Sequence, residues 1–397
     1  MGKIIKTLQK FRILANLSGF FFLAWAGFAQ NSPAIKTQTL AEVRQINQDG
    51  FGGQANKYAF SMAVYKDALY VGTLNLKTFP DMIHFATITS TEGDSQGAQI
   101  WKYTPRQGWK QVVKAGLGNP HNYGVRNLKV IDGCLYGVTA NHDEGMEVWR
   151  TCDGEKWEKL AIGGFGNKSN TSGRGLGYFQ GWIYLGVENF KTGAEIWRSQ
   201  DGEHWERVAE KGIDTKNNVR VSDFVIFKDY LYLGTMNIFG ARLYRTRDGI
   251  NYQSLAKKGL EKKTNAMIMR LYLFKDKLFF STADMFRGFD LYVSEDGVNF
   301  RRVLKNGFNN FHNAYIWQMQ EYKGRLYAGT YYHRGLLLPK GSFMLFSSQD
   351  GENWVVETDN GFGNPWHYGI RTMARYRGGL VIGTASARYG CKVFLAR

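Results

Sequence analysis

Histidine is the residue best placed to do chemistry in this chain of 397 residues, which holds seven of them. His121 and His312 take one equivalent position in two internal repeats, and His142 and His333 take another. Tyr123 and Arg126 sit beside the first pair. Tyr332, His367, Tyr368 and Arg371 sit near the second, and Arg174 fills the slot of Arg126 in the next repeat. Such a set suits elimination next to a carboxylate. Arginine and cationic histidine would neutralise the carboxylate and acidify the neighbouring C–H. A neutral His or a Tyr would take that proton, and a second would protonate the leaving glycosidic oxygen. On this reading His121, His142, Tyr123 and Arg126 are catalytic. Arg174, His312, His333, Tyr332, His367, Tyr368 and Arg371 bind substrate. A salt bridge to a neighbouring repeat is the competing role for each Arg, and a copied surface residue the competing role for each His pair.

The elements that must position these groups are legible as repeats. A strand phrase recurs as LYVGTLN, LYGVTAN, IYLGVEN, LYLGTMN, LFFSTAD, LYAGTYY and LVIGTAS, each preceded by a Gly-led phrase. Repeats start near Gly50, Gly116, Gly164, Gly212, Gly259, Gly307 and Gly361. Each reads as four short strands, A to D, by alternation, by β-branched and aromatic content and by Gly, Asp or Asn at the breaks. The prediction is an all-β, seven-bladed β-propeller of four-stranded antiparallel blades, one domain over 30–397. The last repeat lacks strand D, so residues 40–48 are expected to supply it and close the ring.

Strand direction sorts the loops into two faces. The lead-in to strand A and the B–C loop share one face, which takes six of the seven His, including His84 in a long loop over 77–97. Six repeats place Asn six residues after the starting Gly, a turn or cap device, and the seventh places His367 there. Twelve residues after the Gly the position is always apolar, from Met62 to Met373. Strand C turns into strand D through Ser/Thr-x-Asp-Gly in five repeats, the first being Thr151, Asp153 and Gly154. These turns resemble the Asp-box repeats of sialidase-like propellers, one residue shorter, and imply structure rather than sialidase activity. The ring with His121 and His142 loosely resembles seven-bladed propeller polysaccharide lyases acting on ulvan and rhamnose–glucuronate linkages. That resemblance implies a His pair working with Tyr and Arg. His312 and His333 with Tyr368 and Arg371 fit it equally well.

Composition bounds the rest. There are 51 Lys+Arg against 34 Asp+Glu, a net charge of +17, and aromatics make 15%. Disorder, collagen-like repetition and a disulfide-stapled miniprotein are excluded. Lys3, Lys6, Lys10 and Arg12 precede an apolar run that ends in small residues near Ala29, the layout of a secretory signal over 1–29. The expected chain is secreted or periplasmic, monomeric and without a membrane span once processed. Hairpin counting sets Cys134 opposite Cys152, in reach of a disulfide in an oxidising compartment. No metal motif is diagnostic and no cofactor is predicted, although a divalent metal at the rim stays open. Positive potential favours an anionic polysaccharide or glycan as partner, and nucleic acid is disfavoured. The leading expectation is a lyase on a uronic-acid polysaccharide. The alternative is a non-catalytic propeller binding a glycan or a protein.

Overall fold

The computed structural model describes residues 39–78, 90–256, 258–260, 262–333, 341–386 and 388–397. The expected leader over 1–29, the loop positions Asp81 and His84, and residues 334–340 of the sixth B–C loop lie outside the described residues.

Local chemistry sets each hairpin. Strands A and B join through two-residue turns with both φ values positive, such as Asp132–Gly133 and Gln180–Gly181, whose twist matches that of the strands. In the second repeat A (Gly124–Ile131) pairs with B (Cys134–Ala140), and B pairs with C (Val148–Thr151). Leu135 lies opposite Thr151, which brings Cys134 and Cys152 into a disulfide with Cα atoms 4.4 Å apart. Strand B is buried along almost its whole length, because neighbouring repeats cover both of its faces. The apolar column twelve residues after the starting Gly lies between repeats. Leu176, for example, packs with Tyr136, Val138, Val148 and Leu185.

The expectation of seven four-stranded blades is corrected by the strand pairing. All 28 strands among the described residues belong to one sheet. The inner A and B strands of successive repeats hydrogen-bond to each other and close a ring of fourteen. Each junction is one residue pair, including Leu74 with Gly124, Ala140 with Ser172, Glu188 with Arg220, and Ala385 with Tyr58. The physical reason is convergence. Strand ends approach the axis, where water cannot serve their polar groups, so N–H and C=O pair across repeats. Asn75 N–H donates to Tyr123 O at 2.7 Å and Asn141 N–H to Thr171 O at 2.8 Å. The C and D strands remain outside this ring. Val43–Gln45 lies against Val393–Ala396, with Val43 opposite Ala396.

Candidate functional site at the axis

The loops leading into strand A are built on one bond. Every starting Gly has φ between +56° and +71°, a region that glycine enters without strain. Its carbonyl accepts a hydrogen bond from the Asn side chain six residues on: Asn56, Asn122, Asn170, Asn218, Asn265 and Asn313, at 2.8 to 3.0 Å. His367 reproduces this with Nδ1 donating to Gly361 O at 3.0 Å. It is buried, and burial pushes its pKa down to about 4, so the ring is neutral. His367 therefore takes the structural place of Asn in the seventh repeat. In the second repeat the network runs on: Asn122 also donates to Glu147, which accepts from Trp149 Nε1 at 2.9 Å.

The two histidine pairs have different surroundings. His121 Nδ1 lies 3.2 Å from Asp143 Oδ2. Burial would raise the Asp143 carboxyl, but hydrogen bonds from Ser90 and Thr91 and the charge of His121 outweigh it and hold the carboxyl low. His142 stacks on Tyr123, centroids 5.3 Å apart and planes 8° from parallel. Tyr123 is buried. Its phenol is pushed well above the usual tyrosine range by burial, with the Glu188 carboxylate adding to the shift. In the sixth repeat His333 N–H donates to His312 O at 2.8 Å, while the His312 ring lies against Phe311 and Tyr332.

Between them lies the hub. Tyr58, Phe60, Tyr123, Tyr315, Trp317, Tyr331 and Tyr368 pack with Met236, Met267 and Met269 in one cluster drawn from most of the repeats. Tyr368 is fully buried against Tyr58, Trp317 and Tyr331. Arg174 Nε meets Glu188 Oε2 at 2.7 Å, and Arg220 forms a close ion pair with the same carboxylate. Burial works against ionisation of Glu188, yet Arg174 and Arg220 overcome it and keep the acid ionised. Arg126 and Arg371 both lie over the Phe60 ring, at 4.5 and 4.8 Å from its centroid, and Arg371 also faces Trp317 at 5.1 Å. Such contacts are worth about 0.5 to 2 kcal/mol, less than the several kcal/mol that burying an ion costs. Burial, with Arg270 and Arg174 adding repulsion, lowers the pKa of Arg371.

Among the described residues no three His, Cys, Asp or Glu side chains gather as a metal site. The sequence reading missed Glu188 and Arg220. A signal was present: Glu188 breaks a column that otherwise holds Leu74, Ala140, Met236, Ala283, Tyr331 and Ala385.

Several solved structures share this architecture. The RRP9 WD40 repeats match with a TM-score of 0.54 and 10% identity, covering 90% of this chain and 98% of that one. The WD40 β-propeller domain of Doa1 gives 0.52 and 8%, covering 89% and 97%. The fold is a propeller. Sqt1 from Saccharomyces cerevisiae, at 0.51 and 12%, covering 88% of this chain and 99% of its own, agrees. No protein-family model and no curated protein matches the sequence. At these identities the likeness concerns the propeller fold alone.

Proposed function

We infer that the chain is a non-catalytic binding propeller that receives a protein partner on the face formed by the lead-in and B–C loops. One observation carries this reading. Large apolar side chains stand exposed along an arc of that face: Phe239 at 59%, Phe286 at 62% and Phe311 at 51%, with Ile238 beside Phe239. They come from successive repeats whose loops interlock, as Ala241 N–H donates to Asn265 O and Phe289 N–H to Asn313 O. The exposed phenylalanines gather on this side, and aromatic residues are favoured at the core of contact surfaces. No aromatic side chain is prominent among the exposed residues of the Asp-Gly turns opposite, where Ile250 and Val298 stand out.

The acid–base groups support binding over turnover. Tyr123 is buried and hard to ionise, and His367 is held by a backbone carbonyl. The leader pattern over 1–29 completes the reading with a secreted or periplasmic location.

The test fixes a photo-cross-linking side chain at position 286 or at position 298 and exposes each protein to the extracellular fraction of its source. A discrete protein adduct from position 286 alone is expected. Phe239→Ser with Phe286→Ser and Phe311→Ser should abolish retention of that protein, while Ile250→Ser with Val298→Ser keeps it. Unsaturated product from a uronate polysaccharide, lost on His121→Ala, would restore the enzyme reading.

A further inference from the structure

Arg126, Arg174, Arg220 and Arg371 line the hub, while Arg270 beside Arg371 has its own carboxylate, Asp223, at 3.0 Å. Glu188 serves Arg174 and Arg220. Arg126 and Arg371 pair with no carboxylate among the described residues, and Arg371 Nε is buried without an acceptor. Arg126 is 8% exposed and Arg371 5%. An arginine keeps its charge in a protein, and buried charges are ordinarily paired. The Phe60 and Trp317 rings cover guanidinium faces but accept none of their in-plane N–H bonds. A planar fork of donors matches an oxyanion two bonds at a time. Both residues lie near the start of strand A, at the loop-face end of the axis.

We propose that Arg126 and Arg371, sharing the Phe60 ring, form a site for a compact oxyanion of the phosphate or carboxylate class. Phe60 fixes the two forks, and Arg174 and Arg220 add positive potential that one carboxylate only partly offsets. The site stands apart from the protein-docking reading, because a free anion can occupy it with no partner present.

Inorganic phosphate and succinate are titrated calorimetrically into the full chain, with sodium chloride at matched ionic strength as the reference. Saturable binding near one equivalent is expected for at least one anion. The thermal midpoint should rise by on the order of 3 °C at a hundredfold excess over Kd. Preference for phosphate or succinate then assigns the class. Arg126→Met and Arg371→Met should each weaken binding roughly tenfold or more, and Arg371→Lys, which keeps charge but loses the fork, should weaken it less. Absence of saturable binding of both anions to the wild-type chain overturns the site. So does an unchanged affinity in folded Arg371→Met. Should a Met variant not fold, the wild-type titration and Arg371→Lys decide.

Discussion

The C–D turns on the outside and the hub at the axis follow opposite rules. Five turns carry the same parts in the same places. Thr151 Oγ1 accepts from Gly154 N–H at 2.9 Å, and Asp153 Oδ1 accepts from the amides of Glu155 and Lys156 at 2.8 Å each. Ser199 with Asp201, Thr246 with Asp248, Ser294 with Asp296 and Ser348 with Asp350 repeat it. The two backbone amides hold the Asp153 carboxyl down at about 2. Each turn also seats its glycine on the strand-B ring of the preceding repeat, Gly154 on Tyr70 and Gly249 on Tyr184. At the hub, the equivalent position in strand A holds Phe60, Arg126, Arg174, Ser222, Met269, Trp317 and Arg371. A turn meets only its neighbour, so one solution can be copied. Side chains converging on one axis meet each other, and identical copies would collide or repel.

The largest expected effect breaks the hub. Glu188→Gln leaves Arg174 and Arg220 without their counter-charge and should cost about 3 to 5 kcal/mol in urea unfolding. A loss under about 1 kcal/mol would mean that the cluster is more hydrated than its burial implies. Next comes the turn. An added Cβ at Gly249, where φ is +75°, would lie 1.7 Å from the Tyr184 hydroxyl. Gly249→Ala should therefore cost about 3 kcal/mol. Gly133→Ala, at a similar φ but with no atom within 4 Å of the added Cβ, should cost only about 1 kcal/mol. Equal losses would show that backbone strain, not docking on the ring, explains the glycine.

Asn122→Ala removes the bonds to Gly116 O and Glu147 and should cost about 2 kcal/mol by thermal melting. The smallest effect at neutral pH is expected for His367→Asn, under about 1 kcal/mol, since it restores the side chain used elsewhere. Its signature is pH dependence. The folded imidazole titrates at about 4 against roughly 6.5 when unfolded, so the unfolded chain binds the proton first as pH falls. The stability supplied by neutral His367 is complete above about pH 6.5 and drains away as pH falls toward 4. At pH 5 His367→Asn should be about 1 to 2 kcal/mol more stable than wild type. Parallel stability curves for the two proteins would remove His367 from the lead-in network.

Much of the scaffold was legible in single residues. Hairpin counting set Cys134 opposite Cys152 and left a disulfide possible, and the structure forms it, because register across a hairpin is fixed by the length of its loop. The Asn column announced a local bond, and the structure adds its acceptor, the carbonyl of the starting Gly. The histidines were harder. The sequence grouped His121 with His142 and His312 with His333 as duplicates, but Asp143, Tyr123, Phe311 and Tyr332 give each ring a different setting. His367 looked like a departure with chemistry in it, and the fold uses its Nδ1 as an amide nitrogen. The blade boundaries misled for a related reason, since periodicity shows where strands lie but not which backbones touch across a junction.

The sequence alone determined the repeats, their strands and their turns, because those features depend on residues within a few positions of each other. The tertiary structure decided the fourteen-strand ring, the shared role of Glu188 and the burial of Arg126 and Arg371 around Phe60. Those depend on distances between chain segments tens to hundreds of residues apart, which no single repeat encodes.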